Sequence, residues 1–178
     1  MVAAGRDTGV MGMEAAFPQW LWDLLPPSEP QRKGRRRKSP AGDGRPAAGS
    51  PRSAGRRALY DQLVTDMKKQ HGLRVVRWRS STTGCAWQVH YTDGTSARLI
   101  EAPYPKGPVS CAVFLHEVGH HAIGFHRYKP RCLEEYMAWR WALDTMRQRG
   151  FNITPSVQRR VRLSLRYAVR KARRRGLK

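Results

Sequence analysis

At 178 residues the chain is long enough for one domain with a real hydrophobic core and too short for two of ordinary size. Lys and Arg number 34 against 13 Asp and Glu, a formal charge of +21, so the surface repels itself and attracts polyanions such as nucleic acid. Three cysteines, Cys85, Cys111 and Cys132, form neither an even set nor a C-x-x-C pair, which argues against a disulfide framework and for a reducing compartment.

The first residues lack a charged region leading into an apolar stretch with a small-residue cleavage site, and no apolar run approaches a bilayer span. A cytoplasmic protein with no membrane partner is therefore expected. Residues 1–57 read as a disordered, basic, low-complexity segment. From Pro26 onward they are mostly Pro, Gly, Ala, Ser and Arg, a composition that buries too little apolar surface to offset the entropy of ordering. Within them Trp20, Leu21, Trp22, Leu24 and Leu25 form an apolar island between prolines, a candidate docking motif or a dispensable leader.

A folded domain over 58–150 is expected to open with a helix, because Leu59, Leu63, Val64 and Met67 recur at helical intervals before Gly72, a natural left-handed stop. The runs "LRVVRWR", "CAWQVHY" and "SARLIEAP" predict three strands, the last two joined by an Asp93-Gly94 turn. A small antiparallel sheet is the expectation. Helices are predicted over "VSCAVFLHEVGHHAIGF", ending at Gly124, and over "CLEEYMAWRWALDTMRQRG", ending at Gly150. A basic C-terminal helix within 151–178 is expected to begin at Pro155 with Thr154 as its cap. The fold class is thus α+β.

The chemistry lies in His116-Glu117-Val118-Gly119-His120, an H-E-x-x-H sequence. On a helix, residues four apart share a face, so His116 and His120 can offer two imidazole nitrogens to one metal. Glu117 is then placed to take a proton from water at that metal rather than to bind the ion. A catalytic zinc requires a third protein ligand and one open position.

Two kinds of third ligand are on offer. His126 stands ten residues after His116, the spacing H-E-x-x-H-x-x-G-x-x-H, but Ile123 occupies the position where that pattern needs its turn glycine, which arrives one residue late as Gly124. Glu134 and Glu135 are the alternative. They point about 100° apart on a helix, so only one faces the metal. Ala138, Trp139 and Ala142 follow Glu135 at intervals that would pack this helix against the H-E-x-x-H helix. Glu135 is the favoured ligand, and Glu134 is left for solvent or for a hydrogen bond to a ligand.

"HEVGHH" followed by "EYMAWRWA" resembles the gluzincin zinc metallopeptidases, and most closely those of the ImmA/IrrE type, over roughly Ser96 to Ala142. The resemblance implies a zincin-like fold, Zn2+ held by His116, His120 and Glu135, Glu117 as general base, and a protein or peptide substrate. It also implies that "SARLIEA" is the sheet edge receiving an extended peptide. Trp139 stands where the family often has Asp or Asn to orient a ligand histidine, leaving Asp144 or Glu134 to replace it. Tyr128, His126 and an arginine are the candidates for stabilising an oxyanion.

The blander readings are structural. His121 points about 100° away from His120 and reads as an outer or surface residue. His71 and His90 read as surface or half-buried. Trp139 and Trp141 read as core, and Cys111 and Cys132 as small buried hydrophobes, with a redox role for Cys132 as a minor alternative. In the C-terminal helix Val161, Leu165 and Ala168 form an apolar stripe among arginines without a single acid, a composition suited to phosphate contacts as well as to non-specific attraction. The expected function is a zinc metallopeptidase acting on a cytoplasmic, nucleic-acid-associated protein. The alternatives are a DNA-protein crosslink protease of the SprT/Spartan kind with His126 as ligand, and a non-catalytic nucleic-acid-binding protein with a structural zinc.

Overall fold

The computed structural model describes residues 51–176. The elements are α1 (Pro51–His71), β1 (Leu73–Arg79), β2 (Cys85–His90), β3 (Ser96–Pro103), α2 (Pro108–Ile123), α3 (Arg131–Gln148) and α4 (Pro155–Arg174), an α+β arrangement. The Trp20–Leu25 island and most of the expected disordered segment lie outside the described residues. The remainder of that segment is helical, because α1 runs back past Ala58 to Pro51. Proline suits a first helical turn, and Ala and Arg propagate a helix well.

The three-stranded sheet is mixed, not antiparallel, with the order β1-β3-β2. β2 and β3 form the expected hairpin, paired from Cys85↔Glu101 to His90↔Ser96. Its turn is held by Gly94 at φ 81° and by Asp93 Oδ1, which accepts the Thr95 amide at 2.9 Å. β1 instead runs parallel to β3, from Leu73↔Arg98 to Arg79↔Pro103. Alternation in a strand fixes which side chains share a face but not which neighbour it pairs with. β3 is therefore the central strand, with both sides paired, and the expectation that it forms a free edge is corrected. The free edges belong to β1 and β2.

The link from Ser80 to Gly84 carries the chain from β1 to β2, across the sheet end where Arg79 pairs with Pro103 and Cys85 with Glu101. Glu101 is held there by Arg77 at 3.1 Å and Arg79 at 2.8 Å.

The core gathers Leu63, Val64 and Met67 of α1, Ile100 and Ala102 of β3, Val113, Phe114, Leu115 and Val118 of α2, and Trp139, Ala142 and Met146 of α3. Burying one such large apolar side chain contributes about 1.5–3 kcal/mol. In α1 Tyr60 rather than Leu59 turns inward, stacking on Phe151 with ring centroids 5.2 Å apart. α4 is capped by Thr154 as expected, its hydroxyl accepting the Val157 amide. Its buried residues are Val157, Leu165 and Val169, so that of the expected stripe Leu165 is buried and Val161 and Ala168 are partly buried. The basic helix is thereby a packed part of the fold. Among the described residues no helix is long and apolar enough to cross a membrane.

Candidate metal centre

α2 owes its position to two contacts that the sequence specifies locally. Ser110 Oγ accepts the backbone amide of Gly107 at 3.1 Å, tying down the first turn. Further along, Gly119 lies against α3, where a Cβ would stand 2.8 Å from the Ala138 carbonyl oxygen and 3.3 Å from the Trp141 ring. The absent side chain allows close approach of the two helices.

That approach brings the three candidate ligand residues together. Glu135 Oε2 lies 3.3 Å from His116 Nε2 and 3.7 Å from His120 Nε2. One ligand atom from each residue falls within 4.8 Å of the others. Nitrogen and oxygen ligands bound at about 2 Å in a tetrahedron lie roughly 3.3 Å apart, so modest contraction around an ion completes the set. Both histidines are buried and Glu135 is half-buried. Two imidazoles and one carboxylate are the donor set of catalytic zinc sites that keep a position open.

Glu134 and Trp139 lie against the two candidate ligand histidines. Glu134, 1% exposed, faces His120 Nδ1 at 3.6 Å, and neither the Nδ1 nor Glu134 Oε1 makes a hydrogen bond. Its other oxygen accepts the backbone amide of His126 at 2.8 Å. His116 lies flat on Trp139, ring centroids 4.1 Å apart and planes at 11°. Thus of the two replacements offered for the family's Asp or Asn, Glu134 stands at a ligand histidine, and it serves His120 rather than His116.

The electrostatics follow from burial and charge. Burial pulls His116 down to about 4, so it is neutral at pH 7. Burial also opposes charge on His120, but the Glu134 and Glu135 carboxylates outweigh it and hold this imidazole up at about 9. Burial pushes Glu135 up, and the two histidines more than reverse this, keeping it well below the usual carboxylate range. Glu117, buried beside the ligands, is raised to about 7, chiefly by desolvation. A carboxyl poised there exchanges protons readily near neutrality.

Glu117, His116, His120 and Glu135 line a cleft of about 980 Å³. Thr83 and Gly84 of the link, with Cys85 and Ala86 at the start of β2, form one side, and α4 with its C-terminal cap contributes another through residues including Arg160, Tyr167, Lys171 and Arg175. Gly84 lies directly on the general-base candidate: a Cβ built there would fall 2.3 Å from Glu117 Oε1.

His126 does not join the ligands. The chain turns at Gly124, φ 82°, and His126 is exposed, contributing its backbone amide to Glu134. Neither it nor Tyr128 lines the cleft, whereas Arg131 and Arg160 do. His121 is neither a ligand nor a surface residue. It is buried, with Nε2 donating to the Leu99 carbonyl oxygen at 3.1 Å, and it fastens α2 to β3. His71 is half-buried and His90 exposed. Cys111 and Cys132 are buried free thiols, while Cys85 is exposed. Sequence reasoning missed Gly84, Arg131 and Arg160. Only the small-residue run "STTGC" hinted at a tight passage near Gly84.

No known protein family, curated protein or solved structure matches this chain.

Proposed function

We propose that the chain is a zinc-dependent metallopeptidase of the ImmA/IrrE-like gluzincin kind, acting on a protein or peptide substrate. One observation carries this reading: the Nε2 atoms of His116 and His120 converge on Glu135 in the same cleft that holds Glu117. His116, His120 and Glu135 are the ligands. Zinc, when bound, polarises a carbonyl and lowers the pKa of water.

The remaining steps belong to the protein. Glu117 accepts the proton of the attacking water and returns it to the leaving amine, a task suited to a carboxyl raised to about 7. β2 is an edge strand whose first residues, Cys85 and Ala86, line the cleft, where its main chain is available to hydrogen-bond an extended substrate. Among the cleft cations, Arg160 is available to a developing oxyanion, as is Arg131, whose Nε lies 3.6 Å from the Glu134 and Glu135 carboxylates. Glu134 and Trp139 position the ligand histidines.

Elemental analysis of wild type, His116→Ala, Glu135→Gln and His126→Ala, run beside a casein cleavage assay with Glu117→Gln as control, tests the reading. The expected result is one zinc per chain, lost with His116 and Glu135 but kept without His126, and cleavage that disappears with Glu117→Gln. Zinc that depends on His126 instead overturns the ligand set in favour of a crosslink-protease arrangement. Stoichiometric zinc without cleavage dependent on Glu117 overturns the peptidase and leaves a structural metal.

A further inference from the structure

The α4 wall of the cleft is cationic and partly apolar, and this arrangement has no role in holding the metal. Arg160, Leu163, Tyr167, Lys171 and Arg175 succeed one another at intervals of three or four along the helix, a single stripe facing the cleft. Leu163 is 53% and Tyr167 62% exposed, and the two are consecutive members of this stripe. The helix carries no acidic residue. The carboxylates lining the cleft, Glu117 and Glu135, sit at the metal centre. Nothing acidic among the cleft-lining residues therefore offsets Lys171 and Arg175.

We propose that this stripe is the specificity wall of the cleft and binds an extended peptide bearing acidic side chains interspersed with apolar ones. The inference rests on the peptidase reading for its choice of a peptide over another polyanion. An extended chain alternates its side chains, and one laid along the β2 edge turns every second residue toward one side of the cleft. Among the residues turned to that side, carboxylates meet Lys171 and Arg175, and apolar residues cover Leu163 and Tyr167. Nucleic acid fits less well, because the exposed apolar side chains of Leu163 and Tyr167 interrupt the cationic stripe.

Binding isolates this wall from catalysis. A fluorescein-labelled peptide repeating Glu-Glu-Leu-Leu, which shows both residue types on each face when extended, is titrated by anisotropy into zinc-loaded Glu117→Gln protein, with a Gln/Leu peptide of the same pattern and a DNA duplex as comparison probes. Adding Lys171→Glu and Arg175→Glu is expected to weaken the acidic peptide by about tenfold or more while leaving the Gln/Leu peptide within about threefold. Adding Arg170→Glu and Arg173→Glu makes the same change in net charge away from the cleft lining and is expected to weaken it by less than about threefold.

Equal losses from the two pairs overturn the proposal, because the attraction is then diffuse. A duplex that displaces the peptide and depends equally on Lys171 and Arg175 overturns it in favour of nucleic acid. The peptidase reading is decided separately by cleavage in the Glu117 protein. Inactive protein that retains the Lys171 and Arg175 dependence loses the reaction but keeps the acidic occupant. Active protein without that dependence keeps the reaction and loses the wall.

Discussion

The imidazole of His116 lies flat on the indole of Trp139, with ring centroids 4.1 Å apart and planes 11° from parallel. A ligand histidine is usually oriented by a hydrogen bond to its second nitrogen. Here the His116 Nδ1 is buried without such a partner, and stacking holds the ring instead. A stacked face restricts tilt but leaves the nitrogen's basicity untouched.

Trp139→Ala is accordingly expected to cost about 3–5 kcal/mol of stability for the lost buried side chain. It should also weaken zinc binding by about tenfold or more, as loss of an orienting partner does. Trp139→Phe keeps a ring under His116 and should retain most of the affinity. Chelator competition and thermal unfolding on the two variants separate the effects. Wild-type affinity in Trp139→Ala would show that the stack does not orient the ligand.

Glu134 is the second orienting group, and Glu134→Gln tests its charge with little change of shape. The amide oxygen can still accept from the His126 backbone, so the loop should stay in place. Zinc affinity is expected to fall by about 10–100-fold, the range for lost partners of ligand histidines. A change below threefold in chelator competition would mean that the 3.6 Å approach to His120 has no electrostatic role.

Metal uptake should release a proton with a defined pH dependence. In the metal-free protein His120 is held up at about 9 while His116 is pulled down to about 4, and Glu135 lies below the usual carboxylate range. At pH 8 only His120 among the ligands carries a proton that zinc must displace. Glu117, at about 7, is by then mostly ionised. Close to one proton per zinc is expected at pH 8, read by calorimetry in buffers of different ionisation enthalpy. Because the folded pKa is raised, the apparent affinity should climb about tenfold per pH unit up to roughly 9 and level off above it. No proton release at pH 8 would remove the charge assigned to His120.

Gly119→Ala sets two effects against each other. Alanine favours a helix interior by about 0.8–1 kcal/mol. Its Cβ, however, would stand 2.8 Å from the Ala138 carbonyl oxygen, so α2 and α3 must separate. Overpacking of this kind costs about 1–3 kcal/mol. A net loss of stability together with weaker zinc binding is expected, measured by urea unfolding and metal titration. Net stabilisation with zinc binding intact would show that the helices do not need this approach.

The convergence of His116, His120 and Glu135 was legible because the information is local. Four-residue spacing on one helix places His116 and His120 together, and the intervals among Glu135, Ala138, Trp139 and Ala142 foretell which face of α3 turns inward. The same periodicity separated Glu135 from Glu134, but not the burial of Glu134 against His120, which depends on the loop through His126. The sheet was harder. Each strand announces itself, yet the parallel pairing of Leu73–Arg79 with Ser96–Pro103 is a long-range choice absent from the alternation of either segment. The helix Pro155–Arg174 looked like an independent basic tail because its charges dominate its composition. Only docking of Val157, Leu165 and Val169 reveals it as a wall of the cleft.

Gly84 gives the general-base candidate its room: the volume that any side chain would claim there is filled by the Glu117 carboxyl. A saturation screen scored on function should therefore find this position as intolerant as the residues that carry reactive groups, although it supplies none. Even alanine would displace the carboxyl, and larger residues would occupy its place. The pattern of tolerated changes would trace the outline of a vacant space as sharply as it traces the atoms around it.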